Sequence, residues 1–394
     1  TQRGNARGEV AVLRGENRRE ICNRRALDEC DHFLAEPDAL ADDPEVQHAN
    51  LHHGFLEPAA GRNSPTIWLS SGSTNRSIAS SHAAVEPGMA NTIVERKKRG
   101  TLGKNVGIFH IDEIRFEQFG IPLPEGRELI GYYPDGLAWP PDGNDVKKVR
   151  YGFYVMDLPL FILRMQSIAR KAGVKILFET KFEKPVIDNG AVTGVRVSGG
   201  GKRYDIAAKL TIDASGVDSV VRCALPAVMG LENAPIDPKD FLYVILQYWD
   251  NVEGKDVGSF PSGLNFYPYH KAFINPSYGT GAIVGIGQPA SLKEAERIQK
   301  EFLDERFPKI KHTLVKKTWG RTPYRRPPLS IVAGGFLIVG DAGFMTKPFS
   351  GEGVTSSFTA CQIAAEVIVE GLRRGAAGRA ALWPYNVRYF RDQG

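Results

Sequence analysis

The 394-residue sequence predicts an α/β fold, in which a nucleotide-binding core of parallel strands and helices carries a second, mainly antiparallel α+β domain. Three observations predict it. Strand–helix–strand units alternate in residues 91–225, strand-like runs dominate residues 226–330, and a buried strand leads into a glycine-rich helix start within residues 331–371. Apolar residues make up 42% and charged residues 24% of the chain, which is ordinary globular composition and argues against a coiled coil or a wholly disordered chain.

Residues 1–90 differ in composition from the rest of the chain. They contain no lysine and no tyrosine, and their 9 arginines and 13 acidic residues give a net charge of −4, so that residues 91–394 carry +9 within the total of +5. No apolar repeat of period 2 or 3.6 persists there, and residues 51–77 are rich in serine, asparagine and glycine and are interpreted as loop. The histidines of this segment lack partners at metal-ligand spacing, so we expect no metal site.

Composition also argues against several functional classes. No stretch approaches the roughly 20 uninterrupted apolar residues that a membrane-spanning helix needs. The four cysteines are scattered without a C-x-x-C pair, which predicts neither a disulfide framework nor a zinc site. A net charge of +5 is mild for this length and does not indicate a nucleic-acid partner. These features predict a cytoplasmic protein.

The elements after residue 90 follow from local signals. The run NTIVE predicts a short buried strand that ends on Glu95, and residues 158–173 predict an amphipathic helix closed by Gly173. The sequence Asp-Asn-Gly at 188–190 predicts a hairpin turn. The runs FLYVILQYWD (241–250) and GAIVGIG (281–287) predict two strands of a second sheet. The run KEAERIQKEFLDERFP (293–308) predicts a helix that follows them.

The most informative segment is GGFLIVGDAGFMTKPFSGEGV, residues 334–354. Its buried strand delivers Asp341 to the carboxyl edge of the sheet, where open α/β sheets bind ligands and where a carboxylate can accept a hydrogen bond from a sugar or ribityl hydroxyl. Gly351 and Gly353 then open a helix, and glycines there let a ligand approach bare backbone N–H groups. A serine-capped helix with glycines for packing explains each part, but not the order of strand, Gly-Asp, Pro348 and Gly-Glu-Gly.

This segment resembles the second flavin-contact motif of FAD-dependent oxidoreductases with the p-hydroxybenzoate-hydroxylase-like fold, and within them the geranylgeranyl reductase family, which saturates isoprenoid chains of lipids. Residues 209–226 are similar to the strand, Asp/Gly turn and S-x-x-R end of that family. The resemblance implies an FAD/NAD(P)-binding Rossmann-like domain, a second substrate domain and FAD as cofactor. Matching Asp213, Gly216, Ser219 and Arg222 support it, and the residues it implies for FAD binding are Glu95 at the adenosine ribose, Asp341, Pro348, Gly351, Gly353 and Val354.

The chain departs from the family upstream of Asn91. The family begins with a strand and G-x-G-x-x-G, whose glycines bring backbone against the FAD pyrophosphate. We find neither those glycines nor a preceding apolar strand, and so expect an incomplete N-terminal unit and hypothesise that residues 1–90 are not the native N-terminus. The expected segments are 1–90 atypical, unassigned or disordered, 91–225 and 331–371 the two parts of the FAD-binding domain, 226–330 the substrate domain, and 372–394 a C-terminal helical segment that is cut short.

The resemblance implies reduction of carbon–carbon double bonds of an isoprenoid (geranylgeranyl-type) lipid, by hydride transfer from reduced flavin. The implied partners are an apolar isoprenoid or other small-molecule substrate and an electron donor, NAD(P)H or ferredoxin, with peripheral membrane contact because the substrate resides in a bilayer. Two alternatives stay open: a flavin-dependent monooxygenase on the same fold, and an inactive remnant without the pyrophosphate loop. No catalytic residue is assigned, since Tyr267 and His270, which could donate a proton, are better explained as structural residues.

Overall fold

The computed structural model describes residues 66–70, 90–253, 263–268, 270–279, 281–287, 289–347 and 351–393, all within the unit Ala60–Gly394. The strands are β1 (Thr66–Ser70), β2 (Asn91–Glu95), β3 (Ile108–Asp112), β4 (Leu129–Trp139), β5 (Lys147–Asp157), β6 (Lys175–Leu177), β7 (Lys181–Asp188), β8 (Ala191–Gly199), β9 (Lys202–Ala207), β10 (Leu210–Ala214), β11 (Phe241–Asp250), β12 (Gly263–Phe266), β13 (Lys271–Pro276), β14 (Ala282–Gly287), β15 (Thr313–Pro323), β16 (Val332–Ala333) and β17 (Phe336–Ile338). The helices are α1 (Glu113–Gln118), α2 (Leu158–Lys171), α3 (Leu292–Arg306), α4 (Val354–Arg373) and α5 (Arg379–Gln393).

The first sheet has six strands in the order β16-β17-β10-β1-β2-β6. All neighbours are parallel except β16 and β17. Every residue of β2 is buried, as are all three residues of β17, which is expected for a sheet covered on both faces. Helices α4 and α5 contribute Phe358, Ile363, Leu382 and Tyr385 to the same hydrophobic core. This is the parallel α/β core that the sequence predicts.

Strand β1 corrects one prediction. We expected no strand upstream of Asn91, but β1 pairs in parallel with β2 on one side and with β10 on the other, so that Trp68 lies opposite both Ile93 and Ile212. The prediction was wrong because β1 is only five residues long and is embedded in polar, loop-like sequence. Its backbone hydrogen bonds are made with two neighbouring strands that are distant in sequence, so the local sequence pattern does not predict it. The rest of the segment 1–90, apart from residue 90, lies outside the described residues.

The second sheet has eight strands in the order β15-β11-β14-β13-β12-β4-β5-β3. It is antiparallel except where β12 meets β4. Helix α3 packs on it through Ile298 and Phe302, which join Ile245 and Trp249 in a separate hydrophobic cluster. Residues 91–225 thus contribute β3, β4 and β5 to this sheet as well as strands to the first one, which the sequence did not predict.

The second sheet is curled. The Lys316 ammonium, on edge strand β15, donates hydrogen bonds to the carbonyls of Lys104 (2.5 Å) and Asn105 (2.9 Å), which lie just before the opposite edge strand, β3. The two edges of an eight-stranded sheet therefore come within reach of one side chain. A right-handed sheet twist accumulated over eight strands permits such curvature, and the curl creates a concave inner face.

Local predictions in the remaining segments are confirmed. Helix α2 begins at the predicted place, where the Asp157 carboxylate accepts a hydrogen bond from the Leu160 N–H (2.8 Å), and Gly173 follows its end with φ of 89°. Strands β7, β8 and β9 form a small antiparallel sheet, and Asn189 and Gly190, both with positive φ, make the predicted turn between β7 and β8. Among the described helices, none is long and apolar enough to cross a membrane.

Candidate functional site

A cavity of ≈ 1380 Å³ lies where the carboxyl edge of the first sheet faces the concave side of the second. One part of its wall comes from the Gly-Asp turn and the start of α4, through Asp341, Thr346, Gly351, Glu352, Gly353 and Val354. The opposite wall is largely aromatic and comes from the second sheet. Its aromatic members include Phe109, Tyr133, Tyr151, Phe153, Tyr243, Phe273 and Trp319.

The aromatic wall is a packed surface rather than a scatter of rings. The Phe153 ring stacks between Tyr133, at 5.4 Å between centroids, and Tyr151, at 5.3 Å. Tyr133 and Phe153 are paired across β4 and β5, and Tyr151 and Phe153 lie on the same face of β5. The strand pairing therefore fixes the positions of the three rings. The faces of these rings offer an apolar surface that suits a hydrocarbon ligand.

The Gly-Asp turn holds Asp341 at the cavity. After β17 the chain makes a 3-10 turn over Gly340–Gly343, and the Thr346 hydroxyl donates a hydrogen bond to the Asp341 carboxylate at 2.6 Å. The Ser219 hydroxyl, which is fully buried, donates to the Ala342 carbonyl at 2.7 Å. Asp341 is therefore tethered through its own side chain and through the backbone of the next residue. The structure confirms that the buried strand leads Asp341 to this edge, as predicted; its role in FAD binding stays a prediction.

The Asp/Gly turn and S-x-x-R end support this turn from behind. The Asp213 carboxylate is 0% exposed and accepts hydrogen bonds from the N–H groups of Ser215 and Arg222, both at 2.9 Å, while burial raises the pKa of Asp213. The Arg222 guanidinium donates to the Ala234 carbonyl at 2.8 Å and lies 4.8 Å from the Phe344 ring centroid. None of these side chains lines the cavity, so in this chain they act as structural supports.

The start of α4 presents open backbone to the cavity. Gly351 has φ of 72°, a left-handed conformation that favours glycine, and its N–H donates to the Lys347 carbonyl at 2.8 Å. Helix α4 then begins at Val354, and the first N–H groups of a helix have no partner within the helix. Gly351, Gly353 and Val354 therefore lie together at the cavity, whereas Pro348 lies outside the described residues.

Glu95 lies at the same sheet edge but outside the cavity wall. It is the last residue of β2, it is 0% exposed, and its carboxylate accepts a hydrogen bond from the Lys97 N–H at 2.8 Å. Its register partner is Ser70, the last residue of β1. The neighbouring Arg96 does line the cavity. The carboxylate thus sits beside the end of the central strand, at the edge where open α/β sheets bind ligands, and its role at the adenosine ribose stays a prediction.

Four neighbouring ionisable side chains, among those that line the cavity, were not singled out as functional residues from the sequence. His110 and Asp112 come from β3, Lys271 from β13, and Glu352 from the loop before α4. Burial lowers the pKa of His110, raises that of Asp112 and lowers that of Lys271, and Glu352 opposes the last of these shifts. For His110, Asp112 and Lys271 the only sequence signal is a polar residue in a largely apolar strand, which is too common to single out, whereas Glu352 lies within the Gly-Glu-Gly motif itself.

Tyr267 and His270 do not reach the cavity. Their rings stack on each other at 4.6 Å between centroids, and Tyr267 packs edge-on against Phe302 of helix α3. The Arg306 guanidinium donates to the Tyr267 hydroxyl at 3.4 Å. Neither residue is part of the cavity wall, so the geometry gives them a structural role and not that of a proton donor.

The cavity brings the glycine-lined helix start and the tethered Asp341 together, and these residues fit FAD. The buried Glu95 carboxylate lies outside the cavity wall, at the end of β2 beside the central β1. Solved structures with this architecture include flavin-dependent enzymes. The chain aligns with a geranylgeranyl bacteriochlorophyll reductase-like protein from Thermoplasma acidophilum at a TM-score of 0.71 and 18% identity, covering 84% of this chain and 85% of that one. It also aligns with a flavin-dependent brominase at a TM-score of 0.65 and 16% identity, covering 83% and 84%. The fold is therefore that of FAD-binding flavoproteins.

Sequence comparison leads to a more specific group. The chain is 26% identical over 322 residues to a digeranylgeranylglycerophospholipid reductase from Sulfolobus acidocaldarius, covering 78% of this chain and 70% of that protein. It is 27% identical over 322 residues to the protein of the same name from Methanothrix thermoacetophila, covering 78% of each. No family model matches the chain. The resemblance to geranylgeranyl reductases is thus confirmed by relatives in sequence and by fold.

Proposed function

We propose that the chain is an FAD-dependent oxidoreductase that saturates carbon–carbon double bonds of an isoprenoid lipid of the geranylgeranyl type. The observation that carries this proposal is a single cavity that joins a flavin-type helix start to a continuous aromatic wall. The relatives named digeranylgeranylglycerophospholipid reductase support the substrate class. FAD, when bound, supplies the hydride for the double bond, while the protein supplies position and electrostatics.

Different residues of the chain would bind different parts of FAD and the lipid. Glu95 would hold the adenosine ribose, and Asp341 a ribityl hydroxyl, as hydrogen-bond acceptors. Gly353 and Val354 would present backbone N–H groups to the electron-rich edge of the ring, where the helix dipole favours negative charge, and Gly351, whose own N–H is taken by Lys347, would let the ring approach the bare backbone. Phe153 and the rings around it would hold the isoprenoid chain and exclude water.

Saturation of a double bond needs a hydride at one carbon and a proton at the other. Among the cavity side chains that can carry a proton, His110, Asp112, Lys271 and Glu352 interact electrostatically with one another. They lie near the start of α4, so a proton donor is available beside the proposed flavin position. NAD(P)H or ferredoxin would reduce the flavin beforehand, and the lipid would reach the cavity through peripheral membrane contact.

The test is product analysis. The purified chain, loaded with FAD and reduced with dithionite in the absence of oxygen, is incubated with a geranylgeranyl glycerophospholipid in detergent. The proposal predicts products heavier by two hydrogens per saturated bond in the mass spectrum. Bound and reducible FAD with an unchanged lipid would contradict the substrate class.

A monooxygenase on the same fold is the second candidate. It is supported by a structural neighbour from Pseudomonas aeruginosa assigned as an FAD-dependent monooxygenase, at a TM-score of 0.62 and 16% identity. The same lipid assay in air separates the two activities by their products, because only a monooxygenase transfers an oxygen atom to the lipid and gives a hydroxylated product. An inactive remnant, the third reading, would bind no FAD under either condition.

A further inference from the structure

Lys271 is a buried lysine that reaches the cavity. Only 8% of the residue is exposed, although lysine is among the side chains least often buried. It is the first residue of β13, and its register partner on β14 is Gly287. A Cβ atom at Gly287 would lie 3.3 Å from the Lys271 Cε, so the bare backbone at Gly287 leaves the path for the lysine stem. The two-residue repeat continues with Phe273, whose partner Gly285 has no room for a side chain.

The ammonium of Lys271 lies at the start of α4. A Cβ atom built on Gly351 would be 3.6 Å from the Lys271 Nζ, which brings β13 of the second sheet and the glycine loop of the first sheet to one point of the cavity. One nearby acidic group is Glu352, which is itself 3.4 Å from the Lys347 ammonium. A second is Asp112, which interacts electrostatically with both Glu352 and Lys347.

Any ligand that lies against the Gly351 backbone must also lie close to the Lys271 ammonium. This inference rests on the FAD binding proposed above. In that binding mode, the part of the ligand next to Gly351 and Lys271 is the electron-rich edge of the flavin ring. A buried cation acts on such a charge more strongly than an exposed one, because little water screens it. Burial already lowers the pKa of Lys271, so a ligand that becomes negative would offset an existing cost.

We propose that Lys271 contacts the flavin ring and stabilises the negative charge that the ring gains when it is reduced. The helix dipole of α4 and the Lys271 ammonium then act on the same edge from two elements. This role would make Lys271 a catalytic residue through the cofactor: without it the flavin would be harder to reduce, and the ring would gain negative charge less readily.

The experiment uses the affinity of the oxidised holoprotein for sulfite, measured by bleaching of the flavin band. Sulfite adds to the flavin ring with its own electron pair and leaves the ring negatively charged, so its affinity reports local positive charge without any lipid substrate. Lys271→Met removes the charge, Lys271→Arg keeps it, and Lys202→Met removes an exposed lysine of β9 as a matched control. We expect Lys271→Met to weaken sulfite binding by about tenfold or more, in the range of a lost charged contact, with Lys271→Arg and Lys202→Met near the wild type.

Equal sulfite affinity in Lys271→Met and the wild type, both carrying FAD, would overturn the proposal. If Lys271→Met fails to retain FAD, Lys271→Gln takes its place in the same comparison. Loss of FAD from all three Lys271 variants would indicate a purely structural lysine and would also overturn it. Failure of the wild type to bind FAD is distinguishable from these results, because it contradicts the proposed function before any variant is made.

Discussion

Ser219 shows how a residue outside the cavity shapes the site. Its hydroxyl donates to the Ala342 carbonyl from a distance of 123 positions along the chain, and so it fixes the residue that follows Asp341. We expect Ser219→Ala to lower the free energy of unfolding by about 1–2 kcal/mol, because the substitution leaves a buried carbonyl without its donor. Urea unfolding of the purified variant measures this. An unchanged unfolding midpoint would show that the contact does not hold the turn.

In the proposed function, Glu95 accepts a hydrogen bond from the adenosine ribose of FAD. Glu95→Gln keeps the size of the buried side chain and removes its charge, so the fold should survive while the hydrogen bond to the ribose weakens. We expect FAD to bind about tenfold less tightly, the effect of one weakened charge-assisted hydrogen bond. Fluorescence titration with FAD measures it. Glu183→Gln, on exposed strand β7, is the matched control, and equal affinities of both variants would place the ribose elsewhere.

The burial of Lys271 lowers the stability of the folded chain, and this effect can be measured without FAD. Burial lowers the pKa of its ammonium in the folded chain below the ordinary value of 10.5, so the unfolded chain binds more protons between those two values. Lys271 therefore does not lower the free energy of unfolding above pH 10.5. Its destabilising effect grows as the pH falls from 10.5 and is complete once the pH has fallen through the lowered pKa. We expect apo Lys271→Met to be more stable than apo wild type at pH 7, with a gap that narrows by pH 10. Urea unfolding at both pH values tests it; a variant less stable at pH 7 would show that Lys271 has a fully compensating partner.

At the scale of elements, β1 is the centre of the first sheet. Ile67 lies opposite Thr92 and Thr211, so a proline there removes a ladder hydrogen bond with no edge to absorb the loss. We expect Ile67→Pro to abolish the cooperative unfolding transition in circular dichroism, and Ile67→Val, which keeps the N–H group, to retain it. Lys175→Pro, at the first residue of edge strand β6, should cost far less. Similar unfolding curves for the two proline variants would contradict the central position of β1.

The elements that could be predicted are those whose signals are local. Helix α2 has an aspartate cap, an amphipathic period and a closing glycine, and the β7–β8 turn has Asn-Gly, so both can be located from a few adjacent residues. Strand β1 has no such signal, since its stability comes from β2 and β10. Strands β3 to β5 are also defined by pairing with one another, and the exposed, polar end of β5 resembles a loop when considered alone.

At the scale of the whole molecule, the site depends on two sheets meeting. The sequence placed Asp341, Gly351 and Gly353 together because they lie within one short segment. His110 and Lys271 could not be found in this way, since they are 161 positions apart and meet only because the second sheet curls. Cofactor residues near one motif are thus accessible to sequence reasoning, whereas the groups that a curled sheet brings to the cavity are not.

Binding of FAD by this chain is tested by the visible absorption spectrum of the purified protein after incubation with FAD and desalting. We expect flavin bands to elute with the protein and to be weaker for Glu95→Gln under the same conditions. Retained FAD would also mean that this chain cradles the pyrophosphate without the G-x-G-x-x-G motif. A folded but colourless wild-type protein would contradict the account and would leave the inactive remnant as the correct description.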